Sequence, residues 1–116
     1  MEKGEFCTMI KLIALYKKPE NTAEFDQRYF EGHLPLASKM PGLRRAEVAR
    51  VLGGPAGEAE YYLQAEMYFD DMDALKAAMS SPEGKAAARD VMSFAKDLVT
   101  MMFAEVEEKV PAAIGG

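Results

Sequence analysis

The sequence is short of the residues that most often build metal, redox and nucleotide sites. It contains one histidine, one cysteine and no tryptophan among 116 residues. One cysteine cannot close a disulfide within the chain, and one histidine without spaced acidic partners does not make a zinc or iron site within a protomer. The serines have no G-x-S-x-G context, and no Walker A or G-x-G-x-x-G run occurs. We therefore expect neither a metal nor a nucleotide cofactor.

Two further absences concern partners and location. No apolar run approaches the roughly 20 residues of a membrane span, and no apolar stretch follows the mixed charges of the amino terminus. The net charge is −5, whereas binding to a nucleic-acid backbone depends on clustered Lys and Arg. These features predict a cytoplasmic protein that binds neither nucleic acid nor membrane.

The hydrophobic pattern predicts four strands in one domain spanning residues 1–116, structured from about 8 to 108 with short tails. The segment Thr8–Tyr16 is almost continuously apolar and is followed by turn residues, which favours a strand. Leu43–Leu52 and Glu60–Phe69 are predicted to form a hairpin across the sequence GGPAGE, and a last strand is predicted over about Leu98–Glu107.

A helix is predicted to begin at Asn21, a residue type favoured at the N-cap, with Glu24 in the capping-box position. Phe25, Tyr29 and His33 follow at i+4 spacing, so all three are expected on the helix face that meets the sheet.

Pro35 is predicted to stop or kink this helix near His33, because it lacks an N–H and pushes Leu34 out of the helical region. A second short helix is predicted to follow, carrying Leu36, Ala37 and Met40, before the turn sequence MPG.

Two more helices are predicted after the third strand. Asp70 or Asp71 is placed to cap the first, and Ser81-Pro82-Glu83 supplies an N-cap, a proline and an acidic residue for the second. The apolar stripe of the second is listed at its helical spacing as Ala87, Val91, Phe94 and Leu98.

This element order predicts an α+β fold, the ferredoxin-like βαββαβ arrangement with an antiparallel four-stranded sheet. The first and last strands carry apolar residues on both faces, while one helical layer covers only one face. We therefore expect a homodimer joined through the open sheet face. The alternative is a monomer with a partly apolar exposed face.

The order of several short motifs resembles the EthD-like family, one branch of the dimeric α+β barrel superfamily. The motifs are Tyr16-Lys17-Lys18-Pro19, Glu24-Phe25, His33-Leu34-Pro35-Leu36 and Pro41-Gly42-Leu43-Arg44. The resemblance implies a dimeric barrel and makes the histidine part of a family motif. The family is named for a protein associated with an ether-degrading oxygenase system. The wider superfamily contains cofactor-free monooxygenases, cyclases, lactone isomerases and haem-binding enzymes, so the fold does not choose the reaction.

His33 is the candidate catalytic residue, because only histidine has an unperturbed pKa near neutrality. The sequence places no second strongly titratable side chain beside it. Alternatively, His33 is a core residue that is hydrogen-bonded at the kink, or the ligand of a haem.

Tyrosines and methionines are the candidate ligand-binding residues. A tyrosine hydroxyl can position a carbonyl or phenol, and flexible thioethers suit a pocket for an apolar ligand. The candidates are Tyr16, Tyr29, Tyr62 and Tyr68, with Tyr62 and Tyr68 on the polar face of the third strand, and Met40 and Met67, with Met79 and Met92 at similar facing positions. Each also has an ordinary reading, as an amphipathic strand residue or a core filler.

Two functions remain open at this point. The first is a cofactor-free enzyme, of cyclase, isomerase or monooxygenase type, that acts on a hydrophobic carbonyl or aromatic compound in degradation or secondary metabolism. The second is a non-catalytic protein that binds a hydrophobic small molecule for an oxygenase system.

Overall fold

The computed structural model describes residues 9–107 and confirms the ferredoxin-like topology. Four antiparallel strands lie in the order β2-β3-β1-β4, so β2 and β4 form the two edges of the sheet. The strands are β1 (Ile10–Lys17), β2 (Arg45–Arg50), β3 (Tyr61–Phe69) and β4 (Val99–Glu105). The predicted start of the first strand at Thr8 lies outside the described residues, as does Cys7.

Three of the four α-helices begin at the predicted caps, whereas the second has no side-chain cap and ends before Met40, which was predicted to lie on it. They are α1 (Thr22–Gln27), α2 (Leu34–Ala37), α3 (Met72–Ser80) and α4 (Pro82–Ala95). The side chains of Asn21, Asp71 and Ser81 each accept a hydrogen bond from the backbone N–H three residues later. Each cap satisfies a donor that the first helical turn leaves without a partner.

A π-helical segment, Arg28–His33, joins α1 to α2 without a break. Leu34 has φ −59° and ψ −43°, and its N–H donates to the carbonyl of Tyr29, five residues earlier. The prediction that Pro35 would push Leu34 out of the helical region is therefore wrong. The wide turn displaces the carbonyls that the proline ring would otherwise meet, so the chain remains helical past His33.

The core consists of two clusters on the helix side of the sheet. Tyr16, Phe25, Tyr29, Leu63 and Val91 belong to the first, under α1 and α4. The second joins residues of β1 and β3 to α3 and the segment after α2, and contains Leu12, Met40, Phe69, Leu75 and Ala78. Phe25 and Tyr29 stack with their ring centroids 6.0 Å apart, so both rings lie on the helix face that packs against the sheet.

The α3–α4 junction is a close backbone approach. A Cβ atom added at Gly84 would lie 2.0 Å from the carbonyl oxygen of Ala78 and 2.9 Å from the Cα of Met79. Only glycine allows α4 to begin this near to the end of α3.

Within residues 9–107, no helix covers the second face of the sheet. Ile13 and Leu15 of β1 and Met102 of β4 lie on this open face, since the antiparallel register pairs Ile13 with Met102. Met102 is 40% exposed and Phe103, which faces the other way at the sheet edge, is 51% exposed. The open face of the sheet is therefore apolar along β1 and β4.

Tyr62 does not follow the predicted alternation of β3. The register shifts at Tyr16 and Lys17, which pair with Leu63 and Tyr61, so Tyr62 is the extra residue of a β-bulge. Its hydroxyl donates to Asp26 of α1 at 2.9 Å. The bulge thus takes Tyr62 off the open polar face and packs it against the helices.

Candidate functional site

A cavity of about 90 Å³ lies between the sheet and the helices and is lined by members of both core clusters. Small side chains on facing elements create the space: Ala14 and Ala65 from the sheet, and Ala37, Gly84 and Ala87 from the helices. Larger side chains at these positions would fill the gap between the layers. The lining is mainly apolar, so the cavity suits a hydrophobic ligand.

His33 ends the π-helical segment and lines the cavity, with only 6% of the residue exposed. Its Nδ1 lies 3.3 Å from Oδ2 of Asp90, which α4 contributes. An ionised carboxylate only accepts hydrogen bonds. Nδ1 therefore carries the ring proton and donates a hydrogen bond to Asp90. The other ring nitrogen, Nε2, is then left with its lone pair.

Nε2 borders open space. It has no hydrogen-bond partner among residues 9–107. In that same part of the chain, no polar side-chain atom is both buried and without a partner. His33 is also one of the residues that line the cavity.

Arg28 positions the carboxylate behind His33. Its guanidinium nitrogen lies 3.7 Å from Oδ1 of Asp90 and donates to the hydroxyl of Ser93 at 2.9 Å. The same guanidinium sits 4.7 Å from the ring centroid of Phe94. Arg28 is half exposed, so the ion pair contributes little stability. Arg28 thus places a positive charge on the side of Asp90 away from the oxygen that faces His33.

Burial lowers the pKa of His33 below its usual 6.5, and the nearby Asp90 carboxylate opposes that shift. Burial is the larger of the two causes. The imidazole is therefore neutral at pH 7, with a proton on Nδ1 and a free base at Nε2.

Tyr16 and Tyr29 lie on the same side of the cavity as His33. The ring centroid of Tyr29 is 5.3 Å from that of Tyr16 and 5.5 Å from that of His33. The i+4 spacing correctly predicted that Tyr29 and His33 lie on the sheet side of the helix. Met40 and Met67 also line the cavity, so the structure brings together five of the seven predicted site residues with His33 among them.

Tyr62 and Tyr68 lie outside the cavity. Tyr62 is held by Asp26, while Tyr68 on the other sheet face has the Arg45 guanidinium 4.3 Å from its ring centroid. Met92 is 45% exposed on α4, so the expectation that it faces another element is wrong. The structure adds Met101 of β4 to the lining.

Asp90 is a candidate site residue that the sequence did not predict, and its presence corrects the expectation that no titratable side chain lies beside His33. It is 57 residues away in the chain. In the sequence, Asp90 is marked only by its position directly before Val91, which belongs to the apolar stripe of α4. This position puts Asp90 at the border of the buried helix face.

No group of three His, Cys, Asp or Glu side chains within residues 9–107 is placed to hold a metal ion. A haem macrocycle is far larger than a cavity of about 90 Å³, so the space beside His33 does not fit one. No helix in this range is long and apolar enough to cross a membrane.

The fold and site define a ferredoxin-like α+β protein with a histidine beside an apolar cavity. Residues 17–97 match the model of the EthD domain, and the chain belongs to the EthD family. An uncharacterised 11.0 kDa protein from the thcB-thcC intergenic region of Rhodococcus erythropolis is 32% identical over 103 residues, which are 89% of this chain and 100% of that protein.

Solved structures share the same fold. An EthD family protein from Bacillus halodurans is 48% identical, with a TM-score of 0.82 over 88% of this chain and 99% of that one. A dimeric ferredoxin-like protein of unknown function from Thermobifida fusca has 19% identity and a TM-score of 0.61, covering 84% and 89%. SnoaB, a cofactor-independent oxygenase from Streptomyces nogalater, has 14% identity and a TM-score of 0.58, covering 93% and 98%. The last two show the fold alone.

Proposed function

We propose that the protein is a cofactor-free cytoplasmic enzyme in which His33 is the general base toward a hydrophobic carbonyl or aromatic compound. The supporting observation is that the two nitrogens of the imidazole have different surroundings. Nδ1 is held by Asp90 at 3.3 Å, while Nε2 has no hydrogen-bond partner among residues 9–107 and His33 lines an apolar cavity. A neutral base enclosed by apolar side chains is suited to removing a weakly acidic proton.

The proposed chemistry is proton abstraction. Nε2 takes a proton from a C–H next to a carbonyl, or from an O–H, and the electron pair remains on the ligand as an enolate or phenolate. The resulting imidazolium is stabilised by Asp90, in the way that a buried carboxylate stabilises a catalytic histidine. Cyclisation, isomerisation and reaction with dioxygen all begin from such an anion, and the cofactor-independent oxygenase SnoaB has the same fold.

Acetophenone is a suitable probe, because it is a single-ring hydrophobic ketone with exchangeable methyl protons. We expect the protein in D2O to accelerate methyl deuteration, followed by NMR, and His33→Gln to abolish that acceleration. The control is Asp97→Asn, an exposed carboxylate beyond the end of the same helix that contributes Asp90. Equal exchange by the His33→Gln protein would remove His33 as the base.

A second candidate function is non-catalytic storage or delivery of a hydrophobic compound to an oxygenase. The apolar lining favours it, since burial of a hydrophobic ligand needs no base. Binding of acetophenone without any acceleration of exchange would support this role over catalysis.

We propose that the working unit is a homodimer formed through the open sheet face. Within residues 9–107, no helix covers Ile13, Leu15 and Met102 on this face, and Met102 is 40% exposed. A second subunit on this face would bury that apolar surface. The dimeric ferredoxin-like protein from Thermobifida fusca has the same fold.

A further inference from the structure

Among residues 9–107, the hydroxyls of Tyr16 and Tyr29 have no hydrogen-bond partner. Tyr16 is 1% exposed and Tyr29 is 2% exposed. No polar side-chain atom in that range is both buried and unpartnered, so the small exposed fraction of each side chain includes its hydroxyl. Both residues line the cavity, which is the open space next to their side chains.

Unpartnered hydroxyls are costly in an otherwise apolar core. A phenylalanine at either position would keep the ring packing and avoid the loss of hydration of the hydroxyl. Neither hydroxyl contributes a hydrogen bond to the fold within the described residues, so a role in folding does not explain them. A bound molecule with an oxygen acceptor does.

Both hydroxyls are donors at neutral pH. Burial raises the pKa of Tyr29 to about 12 and raises that of Tyr16 still further, with the neighbouring Tyr29 as a second cause for Tyr16. A neutral phenol offers one O–H, and two phenols can donate to the same oxygen. Hydrogen bonds to an ionised acceptor are about twice as strong as bonds between neutral groups.

The donors lie close to the base. The rings run in the order Tyr16, Tyr29, His33, with successive centroids 5.3 and 5.5 Å apart. A planar molecule held against this row of rings would span from the phenols to the imidazole. An oxyanion site next to a general base needs donors and base within reach of one ligand in this way.

We propose that the hydroxyls of Tyr16 and Tyr29 form an oxyanion-binding site, and that the ligand is a single-ring phenol or enolisable ketone bound as its phenolate or enolate. This inference rests on the proposed function, since it names the ligand class of the same cavity. The O–H or C–H bond of the ligand breaks, the proton goes to Nε2 of His33, and the electron pair remains on the ligand with its charge on the oxygen.

The size of the cavity favours a small ligand. An engineered apolar cavity of about 150 Å³ accepts benzene in another protein, whereas the cavity here is about 90 Å³, so even a single ring requires the lining to move outward. Met79 and Met101 are partly exposed lining residues whose thioethers can move to admit a substituent. A fused-ring compound would require movement of the helices themselves.

The test compares 4-nitrophenol with 4-nitrotoluene, which has the same shape but a methyl group in place of the hydroxyl. Binding is measured by calorimetry at a pH at which free 4-nitrophenol is mainly neutral, and its absorbance reports ionisation. We expect 4-nitrophenol to bind more tightly, and to show the phenolate spectrum when bound. Tyr16→Phe and Tyr29→Phe should each weaken its binding about tenfold and leave that of 4-nitrotoluene within about twofold.

Tyr62→Phe is the matched control, because the Tyr62 hydroxyl bonds to Asp26 outside the cavity. It should change the binding of neither compound. Equal affinity for both compounds, or Phe variants that bind 4-nitrophenol as the unaltered protein does, would overturn the oxyanion site while leaving the cavity and His33 in place. If neither compound binds to the unaltered protein, the proposed function fails as well.

Discussion

Nδ1 of His33 lies 3.3 Å from Oδ2 of Asp90, and this hydrogen bond ties the π-helical segment to α4. The two residues come from opposite halves of the chain and meet on the helix side of the cavity. Because the carboxylate fixes the proton on Nδ1, it determines which nitrogen faces the cavity as a base. The chemistry proposed for His33 therefore depends on Asp90.

Replacing Asp90 with asparagine tests that dependence. The amide N–H2 of asparagine can donate to Nδ1 and so move the ring proton to Nε2, which removes the base. We expect Asp90→Asn to reduce acetophenone deuteration by tenfold or more and to lower the pKa of His33 further, as measured by NMR titration of the ring. The exposed Asp97→Asn should match the unaltered protein in both measurements. An unchanged His33 pKa in Asp90→Asn would contradict the proposed pairing.

The lowered pKa of His33 predicts how stability depends on pH. Below about pH 6.5, the unfolded chain takes up a proton at His33 before the folded protein does. The free energy of unfolding should therefore fall as the pH drops from 6.5 toward the folded pKa, by up to about 1.4 kcal/mol per pH unit. Urea unfolding at several pH values should show this slope in the unaltered protein and a smaller one in His33→Gln. Identical slopes would show that burial does not disfavour the imidazolium.

Gly84→Ala should destabilise the protein. An added Cβ would lie 2.0 Å from the backbone oxygen of Ala78, so α3 and α4 must separate. Overpacking of this kind costs about 1 to 3 kcal/mol, more than the roughly 1 kcal/mol that alanine gains in helix propensity. Gly32→Ala is the control, since nothing lies within 4 Å of a Cβ there and the residue is exposed. Thermal unfolding should show a lower Tm for the first variant and an equal or higher Tm for the second.

Ala87→Leu should close the cavity. Ala87 is buried on α4 and lines the cavity, so three additional carbons enter a space of about 90 Å³. We expect binding of 4-nitrotoluene to weaken at least tenfold in calorimetry, with the protein still folded by circular dichroism. Ala77→Leu makes the same change on the exposed face of α3 and should bind as before. Undiminished binding to Ala87→Leu would place the ligand elsewhere.

Met102→Glu should dissociate the proposed homodimer. A carboxylate on the open face of β4 would be buried without a partner in a sheet-to-sheet interface, at a cost of several kcal/mol. Analytical ultracentrifugation should find the unaltered protein dimeric and the variant monomeric at the same concentration. Met92→Glu changes an exposed methionine on α4 and should remain dimeric. A monomeric unaltered protein would refute this assembly.

Local patterns predicted most of the fold. The caps at Asn21 and Ser81 were predicted because an N-cap is a property of neighbouring residues, visible within three or four positions. The positions of Tyr29 and His33 followed from helical spacing, which places residues on a face whatever the tertiary structure. The pairing of β2 with β3 was predicted because the segment that connects them is rich in turn residues.

The features that could not be predicted involve packing between distant segments. Asp90 meets His33 only after α4 is laid across the sheet, so no short motif reports the pair. Tyr62 leaves the alternation of β3 because of a bulge against β1, which depends on the register of both strands. The wide turn that precedes Pro35 likewise depends on contacts of the backbone with the proline ring. Residue propensities do not describe such contacts.

A π-helical segment such as Arg28–His33 accommodates a surplus residue relative to an ordinary α-helix of the same span. Loss of that surplus residue would return the segment to α-helical geometry and change the direction in which the His33 side chain leaves the helix. A deletion of one residue in this stretch therefore bears on whether the imidazole still reaches Asp90.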